Sequence, residues 1–448
     1  MKINSFLLRC TLVAALGGFL FGFETAVISG AEKTIQALWS LSDFLLGFTV
    51  AASLIGTVIG SMIAGRPAQI YGRKKVLLVI ALMYLISAVG CSLTPNWTLF
   101  IIFRMIGGIA VGASSVVGPM YISEIAPAAV RGRLTGMFQL NIVIGILVAF
   151  LTNFAFLQIG AGSWRWMVGV MVIPAGLFAV LLRSIPESPR WLILNNRDDE
   201  AARIFAKTGE PDGSAIINEE HALLHFEKAI IKNAPEENLF TWKFRKPIFY
   251  AVLLAMFNQL SGINAILYYA PRIFEMAGFS QKASFLQPVY IGTANLLFTL
   301  LGMSIIDKVG RKTLLMTGAI GTAIFLALTA FGFQTDGTGN PHVIIYLICF
   351  IAFFALSQGA VIWVFISEIF PNSVRSQGSS LGSFTHWIMA ALIAWTFPIF
   401  VNKIPNGGHY AFIFFSVMML ISLIFIWRVM PETKGRTLEQ IQKDLGIV

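Results

Sequence analysis

Twelve apolar runs separated by polar loops decide what this chain can fold into. A helix that crosses the hydrocarbon core of a bilayer needs about 20 largely apolar residues. Runs of that kind lie near 10–30, 44–64, 76–93, 99–121, 134–155 and 164–183, and again near 247–270, 285–306, 313–333, 343–367, 378–400 and 410–430. Hydrophobic residues make up 56% of the chain and charged ones only 12%, against about 25% charged in a soluble domain. A water-soluble core has no place for so much apolar surface. A bilayer has. The expected fold is an all-α membrane protein with lipid as its solvent.

An even number of spans puts both termini on one side, and loop charge selects the side. The loops at 65–75, 122–133, 307–312 and 368–377 carry ten Lys or Arg, and the opposite loops carry five: Lys33, Arg165, Arg272, Lys282 and Lys403. Cytoplasmic loops hold the excess of Lys and Arg, so both termini are expected in the cytoplasm. The segment from Arg183 to Lys246 then lies there too. It holds 10 basic and 11 acidic residues, with helical patterning over Asp198–Lys207 and Glu219–Lys232. It reads as a solvated helical linker rather than a catalytic domain. The domain plan is a six-helix bundle over 1–190, a cytoplasmic linker over 191–244, and a second six-helix bundle with a short tail over 245–448.

Several function classes are disfavoured. A net charge of +10 would suit nucleic acid only if the basic residues clustered, but they sit in short groups between apolar runs. Cys10, Cys91 and Cys349 are far apart, with neither ligand spacing nor a disulfide framework. No metal-ligand cluster, nucleophile–base arrangement or phosphate-cradling loop is found, so no metal, cofactor or enzyme activity is expected. Gly107, Gly108 and Gly112 read as helix-packing residues. The first apolar stretch lacks a small-residue cleavage site and reads as a span, not a signal peptide. The sequon Asn96-Trp97-Thr98 falls in a short external loop hugging the membrane and reads as a chance match.

The loops repeat. Gly72-Arg73-Lys74-Lys75 follows the second run and Gly310-Arg311-Lys312 follows the eighth. Glu124-Ile-Ala-Pro127 leads to Arg131, and Glu368-Ile-Phe-Pro371 leads to Arg375, with seven residues from Glu to Arg both times. Positive-inside topology explains the basic residues but not acidic partners at a fixed spacing. A cytoplasmic gate of ion pairs is expected from Arg73, Glu124, Arg131, Arg311, Glu368 and Arg375. Duplicated halves are a common transporter plan, with substrate near the midplane.

With these loops, Pro186-Glu-Ser-Pro-Arg190-Trp-Leu after the sixth run and Pro431-Glu-Thr-Lys-Gly435-Arg436 after the twelfth give a specific resemblance. The chain resembles the sugar porter branch of the major facilitator superfamily, which holds proton–sugar symporters and facilitative glucose transporters, from about residue 17 to 439. The resemblance implies the major facilitator fold, with a monosaccharide (pentose or hexose) as cargo.

Two full charges, Glu24 and Arg104, read as lying well within membrane depth. Each sits about six positions from the external end of its run, or about 9 Å at 1.5 Å per residue. The two can share a height and pair. Burial favours the protonated carboxyl and Arg104 favours the anion, so small movements could tip a proton on or off. A static structural pair is the alternative. Sugar symporters resemble this chain in the run Phe21-Gly22-Phe23-Glu24-Thr25 but usually carry Asp at the fourth position, whereas uniporters usually have a neutral residue there.

Sugars present hydroxyls in a plane with apolar C–H faces. Amides suit the hydroxyls and aromatic rings suit the faces. The candidates are Phe21, Gln139, Asn258, Gln259, Asn264, Tyr268, Asn295, Trp363, His386 and Trp387. The four in helix seven scatter round an unbroken helix, and a bend at Ser261-Gly262 would gather them. Interhelical hydrogen bonding is the alternative for any single amide. The family match covers Gln139, Gln259, Asn264, Tyr268, Asn295, Trp363 and Trp387. Asn258 and His386 depart from the usual Gln, or Gln and Asn; Ala360 stands where Pro is typical. Gln69 replaces the acidic residue that Asp307 keeps in the second half, which predicts a weaker cytoplasmic network in the first.

The leading expectation is proton-coupled monosaccharide import by a monomer. Facilitated diffusion and a non-transporting sugar sensor stay open beside it. Short tails and the lack of a long external loop suggest a bacterial inner membrane.

Overall fold

The computed structural model describes residues 3–160, 162–209, 238–333, 340–371, 373–436 and 438–445, with the single positions 217, 218, 221 and 447. The expected linker helix at Glu219–Lys232 and the side chain of Asp307 lie outside the described residues. Among the described residues, twelve helices are long and apolar enough to cross a membrane. They are α1 (Ser5–Leu38), α2 (Asp43–Ile63), α3 (Arg73–Leu93), α4 (Trp97–Ile125), α5 (Arg131–Ile159), α6 (Ser163–Ser184), α7 (Trp242–Tyr268), α8 (Gln281–Ile306), α9 (Arg311–Gly332), α10 (His342–Ile366), α11 (Arg375–Lys403) and α12 (Gly407–Arg428). The described residues form an all-α protein whose twelve spans match the apolar runs of the sequence. Large apolar side chains such as Ile173 (70% exposed) and Leu93 (74%) face outward, as lipid-facing positions must.

Helix ends follow local chemistry. The side chain of Asn96 accepts from the Leu99 N–H and caps α4, so the sequon asparagine is a helix cap. Short helices flank the spans at Pro189–Leu194, Asp198–Thr208 and Ala270–Met276. The linker pattern at Asp198–Lys207 thus forms a helix, with three acids in its first turn and Lys207 in its last, the order the helix dipole favours.

The chain divides into two compact units. The first holds Met1–Glu24, Gly56–Gly145 and Gly169–Glu237. Within it, α2 and α4 cross on small residues: a Cβ added at Gly60 would lie 2.1 Å from the Ile109 carbonyl oxygen, and one at Gly112 would lie 2.1 Å from that of Thr57. No side chain fits there, so backbones meet directly.

The second unit holds Thr25–Ile55, Ile146–Val168 and Asn238–Val448. The later parts of α1 and α5 and the first part of α2 therefore pack with the second-half helices. Within it, α7 breaks after Leu260 and resumes at Ile263. Ser261 Oγ donates to the Asn258 carbonyl at 2.6 Å, and Gly262 adopts the left-handed φ of +79°, a region open to glycine at little cost. The bend falls where the polar pattern of helix seven called for one. α10 also breaks, between Leu356 and Gln358.

Candidate functional site

The first unit holds a buried ion pair. Arg104 Nη1 donates to Glu24 Oε1, and the two side chains are 2% and 5% exposed. α1 and α4 supply them, and Ser87 of α3 lies beside them. A Cβ at Gly107 would stand 2.5 Å from Ser87 Oγ and 3.3 Å from Glu24 Oε1, so glycine one turn after Arg104 leaves room for the longer carboxylate. Tyr84 and Ser114 share a hydrogen bond of 3.0 Å that ties α3 to α4.

A second polar cluster lies in the second unit, around the break in α7. Gln259 Nε2 donates to Asn258 Oδ1 at 3.1 Å and to His386 Nε2 at 3.0 Å. Asn264 Nδ2 donates to Gln259 Oε1 at 2.8 Å. An amide N–H can only donate, so the ring nitrogen facing it is the unprotonated one. The His386 ring is 4.8 Å from that of Trp363 and 4.9 Å from that of Trp387, centroid to centroid. Asn258, Gln259 and His386 are buried, while Trp363 is 36% exposed. The fold thus gathers three amides, an imidazole and two indoles in one place. It can present donors and acceptors beside flat apolar faces, which is what a pyranose ring demands.

The other expected residues are placed as follows. Tyr268 is buried at the end of the short helix after the break, and Asn295 on α8 accepts from Thr299 at 3.4 Å. Phe21 and Gln139 belong to the first unit, both half-buried. Among the described residues, no three or more His, Cys, Asp or Glu converge as a metal site requires.

The basic-loop ends of both units carry the same arrangement. In the first, Arg73 donates to both oxygens of Glu124, Nε at 2.8 Å and Nη2 at 2.7 Å. In the second, Arg311 Nη2 donates to Glu368 Oε1 at 3.0 Å. A hydroxyl completes each acid: Ser188 Oγ donates to Glu124 at 2.5 Å and Thr433 Oγ1 to Glu368 at 2.6 Å. Arg131 and Arg375 instead make long contacts, 3.4 Å each, to the carbonyls of Ala126 and Phe370. The side chains of Arg73 and Glu124 are 5% and 9% exposed, against 12% and 28% for Arg311 and Glu368. Taken alone, the Arg–Glu pairs run opposite to the order expected from Gln69. The first is bidentate and better buried.

Two acids escaped the sequence reading. α3 and α9 start at Gly72 and Gly310 with no side-chain cap of their own. Distant carboxylates fill the role. Glu187 accepts from the Lys74 and Ser188 N–H groups at 2.9 Å, and Glu432 from those of Arg311 and Lys312 at 3.0 Å and Thr433 and Lys434 at 2.9 Å. Burial pushes the Glu432 carboxyl up, but these four N–H donors outweigh it and hold the group below the usual range. Gly72 and Gly310 are required twice over, since their φ angles are +95° and +102° and a Cβ would meet the Glu187 or Glu432 carboxylate at 2.3 or 2.8 Å. The repeat of Pro-Glu-Ser and Pro-Glu-Thr was the available signal. A second buried pair, Glu32 with Arg272, was also missed, because Arg272 read as a loop charge and Glu32 lies just past the end of an apolar run.

Known proteins share this plan. The family model described as sugar (and other) transporter matches residues 10–445. The arabinose–proton symporter of Bacillus subtilis (strain 168) is 35% identical over 444 residues, covering 98% of this chain and 95% of that protein. The glucose transporter GlcP of Staphylococcus epidermidis is 37% identical over 453 residues, covering 99% and 98%. A solved structure of the xylose transporter XylE from E. coli, in a partially occluded inward-open conformation, superposes with a TM-score of 0.84 at 34% identity, covering 97% of this chain and 100% of that one. Coverage is end to end in each case, so the likeness extends to the whole molecule rather than to one bundle. The chain belongs to the sugar porter family of the major facilitator superfamily.

Proposed function

We propose that this protein imports a monosaccharide together with a proton by alternating access. The buried Glu24–Arg104 pair carries the proposal. A carboxylate in this setting is costly to keep charged without its guanidinium. Protonation frees Arg104 and permits rearrangement, and deprotonation restores the pair. The name of the B. subtilis relative, an arabinose–proton symporter, supports the same coupling.

The cluster of Asn258, Gln259, Asn264, His386, Trp363 and Trp387 grips the sugar. Phe21, Gln139, Tyr268 and Asn295 are assigned to sugar contact by residue type and helix position. The cargo is a pentose or hexose; arabinose, xylose and glucose are the sugars that relatives' names supply. The positive-inside rule supports placing both termini and the basic-loop ends in the cytoplasm. There Arg73, Glu124, Arg131, Arg311, Glu368 and Arg375 form the gate, and residues 1–190 and 245–448 act as two bundles joined by the 191–244 linker. The protein works as a monomer.

The test is uptake of labelled arabinose, xylose and glucose into proteoliposomes, with and without an imposed pH gradient. At least one sugar accumulates with the gradient and loses that accumulation on adding a protonophore. Glu24→Gln keeps sugar exchange in counterflow but does not accumulate. If Glu24→Gln still concentrates sugar on a pH gradient, the coupling role is wrong.

A further inference from the structure

A buried ion pair far along α1 is not used by the sugar or proton chemistry above. α1 runs 34 residues, to Leu38, and carries Glu32 beyond the end of its apolar run. Arg272 sits on the short helix Ala270–Met276 that follows the broken α7. Nε of Arg272 donates to Glu32 Oε1 at 2.9 Å and Nη2 to Oε2 at 2.6 Å. This is the bidentate fork that gives Arg–carboxylate pairs their strength and geometry. Glu32 and Arg272 are 1% and 7% exposed.

Further bonds extend from this pair. Arg272 Nη2 also donates to Gln36 Oε1 at 2.7 Å. Gln36 Nε2 donates to Asp43 Oδ1 at 3.1 Å, and Asn402 Nδ2 donates to the same oxygen at 2.7 Å. Lys33 pairs with Glu275 alongside. One continuous network thus joins the ends of α1 and α2 to the helix after α7 and to the end of α11, all within the second unit. Its residues lie at the span ends opposite the basic loops.

A static scaffold does not need charge here, since apolar packing would hold the same ends without the desolvation cost. Charge is useful where a contact must form in one state and be rehydrated in another, because both ions regain water when the ends separate. We infer that Glu32–Arg272 is the external latch of the transport cycle. It holds the outer end of α1 to the short helix after α7 while the sugar site faces the cytoplasm, and it breaks when the site opens outward. Glu32 and Arg272 are positioning residues, acting on which face is open rather than touching sugar. The inference rests on the alternating-access reading.

Hydrogen exchange of the full-length protein in liposomes tests the latch without needing transport. Glu32→Gln and Arg272→Gln should speed deuterium uptake over 25–38 and 270–276, by about tenfold or more. They should also slow it over the basic loops 65–75 and 307–312. A merely structural pair predicts faster exchange at both ends together, and that result, or no change at either end, overturns the proposal. The double Glu32→Gln/Arg272→Gln variant leaves no unpaired buried charge and guards against misfolding; it should show the same opposed changes. As a second measurement, Glu32→Cys/Arg272→Cys joined by a short bis-methanethiosulfonate, which forms a mixed disulfide with each thiol and releases methanesulfinate, should lose sugar uptake and regain it when reductant cleaves those disulfides. Full uptake in the crosslinked protein sinks the latch. Absence of counterflow in the uncrosslinked wild type instead removes the transport reading, while the exchange experiment still judges the pair.

Discussion

Glu24 is one methylene longer than the aspartate usual in sugar symporters, and Gly107 supplies the missing space. A Cβ there would approach Ser87 Oγ to 2.5 Å and Glu24 Oε1 to 3.3 Å. Gly107→Ala should therefore disturb the Glu24–Arg104 geometry and reduce gradient-driven accumulation more than counterflow exchange. Adding Glu24→Asp should recover part of the accumulation. An accumulation ratio equal to wild type in Gly107→Ala would remove Gly107 from this account. At the proposed sugar cluster, His386 accepts from Gln259. His386→Phe keeps an aromatic ring but strands a buried amide N–H, a cost of about 1–3 kcal/mol. The expected result is a KM raised about tenfold, with His386→Gln milder and altered in which sugars compete best. The Glu24–Arg104 pair was legible because two opposite charges interrupt otherwise apolar runs. Glu32 and Arg272 were not, because a charge at the end of a run looks like a loop charge until the true helix length is known.

At the level of elements, the break in α7 decides whether the amides of helix seven meet. Its local cause is Gly262, whose left-handed φ costs other residues roughly 1–2 kcal/mol. A Cβ there would also meet Phe415 Cδ2 at 2.4 Å. Gly262→Ala should lower the unfolding temperature in detergent and weaken sugar binding together, since the helix can relieve strain only by losing the bend. Normal sugar affinity in a destabilised Gly262→Ala protein would show that the bend is not needed by the cluster. The bend was legible from four polar residues scattered round one apolar run. The capping of α3 and α9 by Glu187 and Glu432 was not, because each acid lies over 100 residues from the helix it caps. Glu432 also sets a pH response. Its folded carboxyl lies below the ordinary carboxylate range, so the stability it adds is present above the unfolded value, about 4.3, and is lost as pH falls through the lower folded value. Thermal unfolding between pH 3 and 7 should show this loss in the wild type. Glu432→Gln should be less stable at neutral pH and flatter below about pH 4.5. An unchanged acid limb would mean that other carboxylates govern it.

For the whole molecule, the loop repeats were readable as duplication, but their energetic content was not. Equal motifs give a bidentate, well-buried Arg73–Glu124 and a more exposed Arg311–Glu368, so the motif alone does not set how well each pair is buried. In an alternating-access cycle, contacts that close one end compete with contacts that close the other, because each favours a different state. The proposed cytoplasmic pairs and the proposed external latch should therefore act on one equilibrium with opposite signs. On the proposed gate, Glu124→Gln should weaken closure at the basic-loop end, speeding hydrogen exchange over 65–75 and slowing it over 270–276. Glu32→Gln should do the reverse. Combined, the two biases offset, and exchange at both ends should return toward wild type even though two buried pairs have been damaged. Simple loss of stability predicts the contrary: faster exchange at both ends, larger in the double variant than in either single one. The sign of the double variant thus separates a pair of opposed gates from a pair of structural clasps.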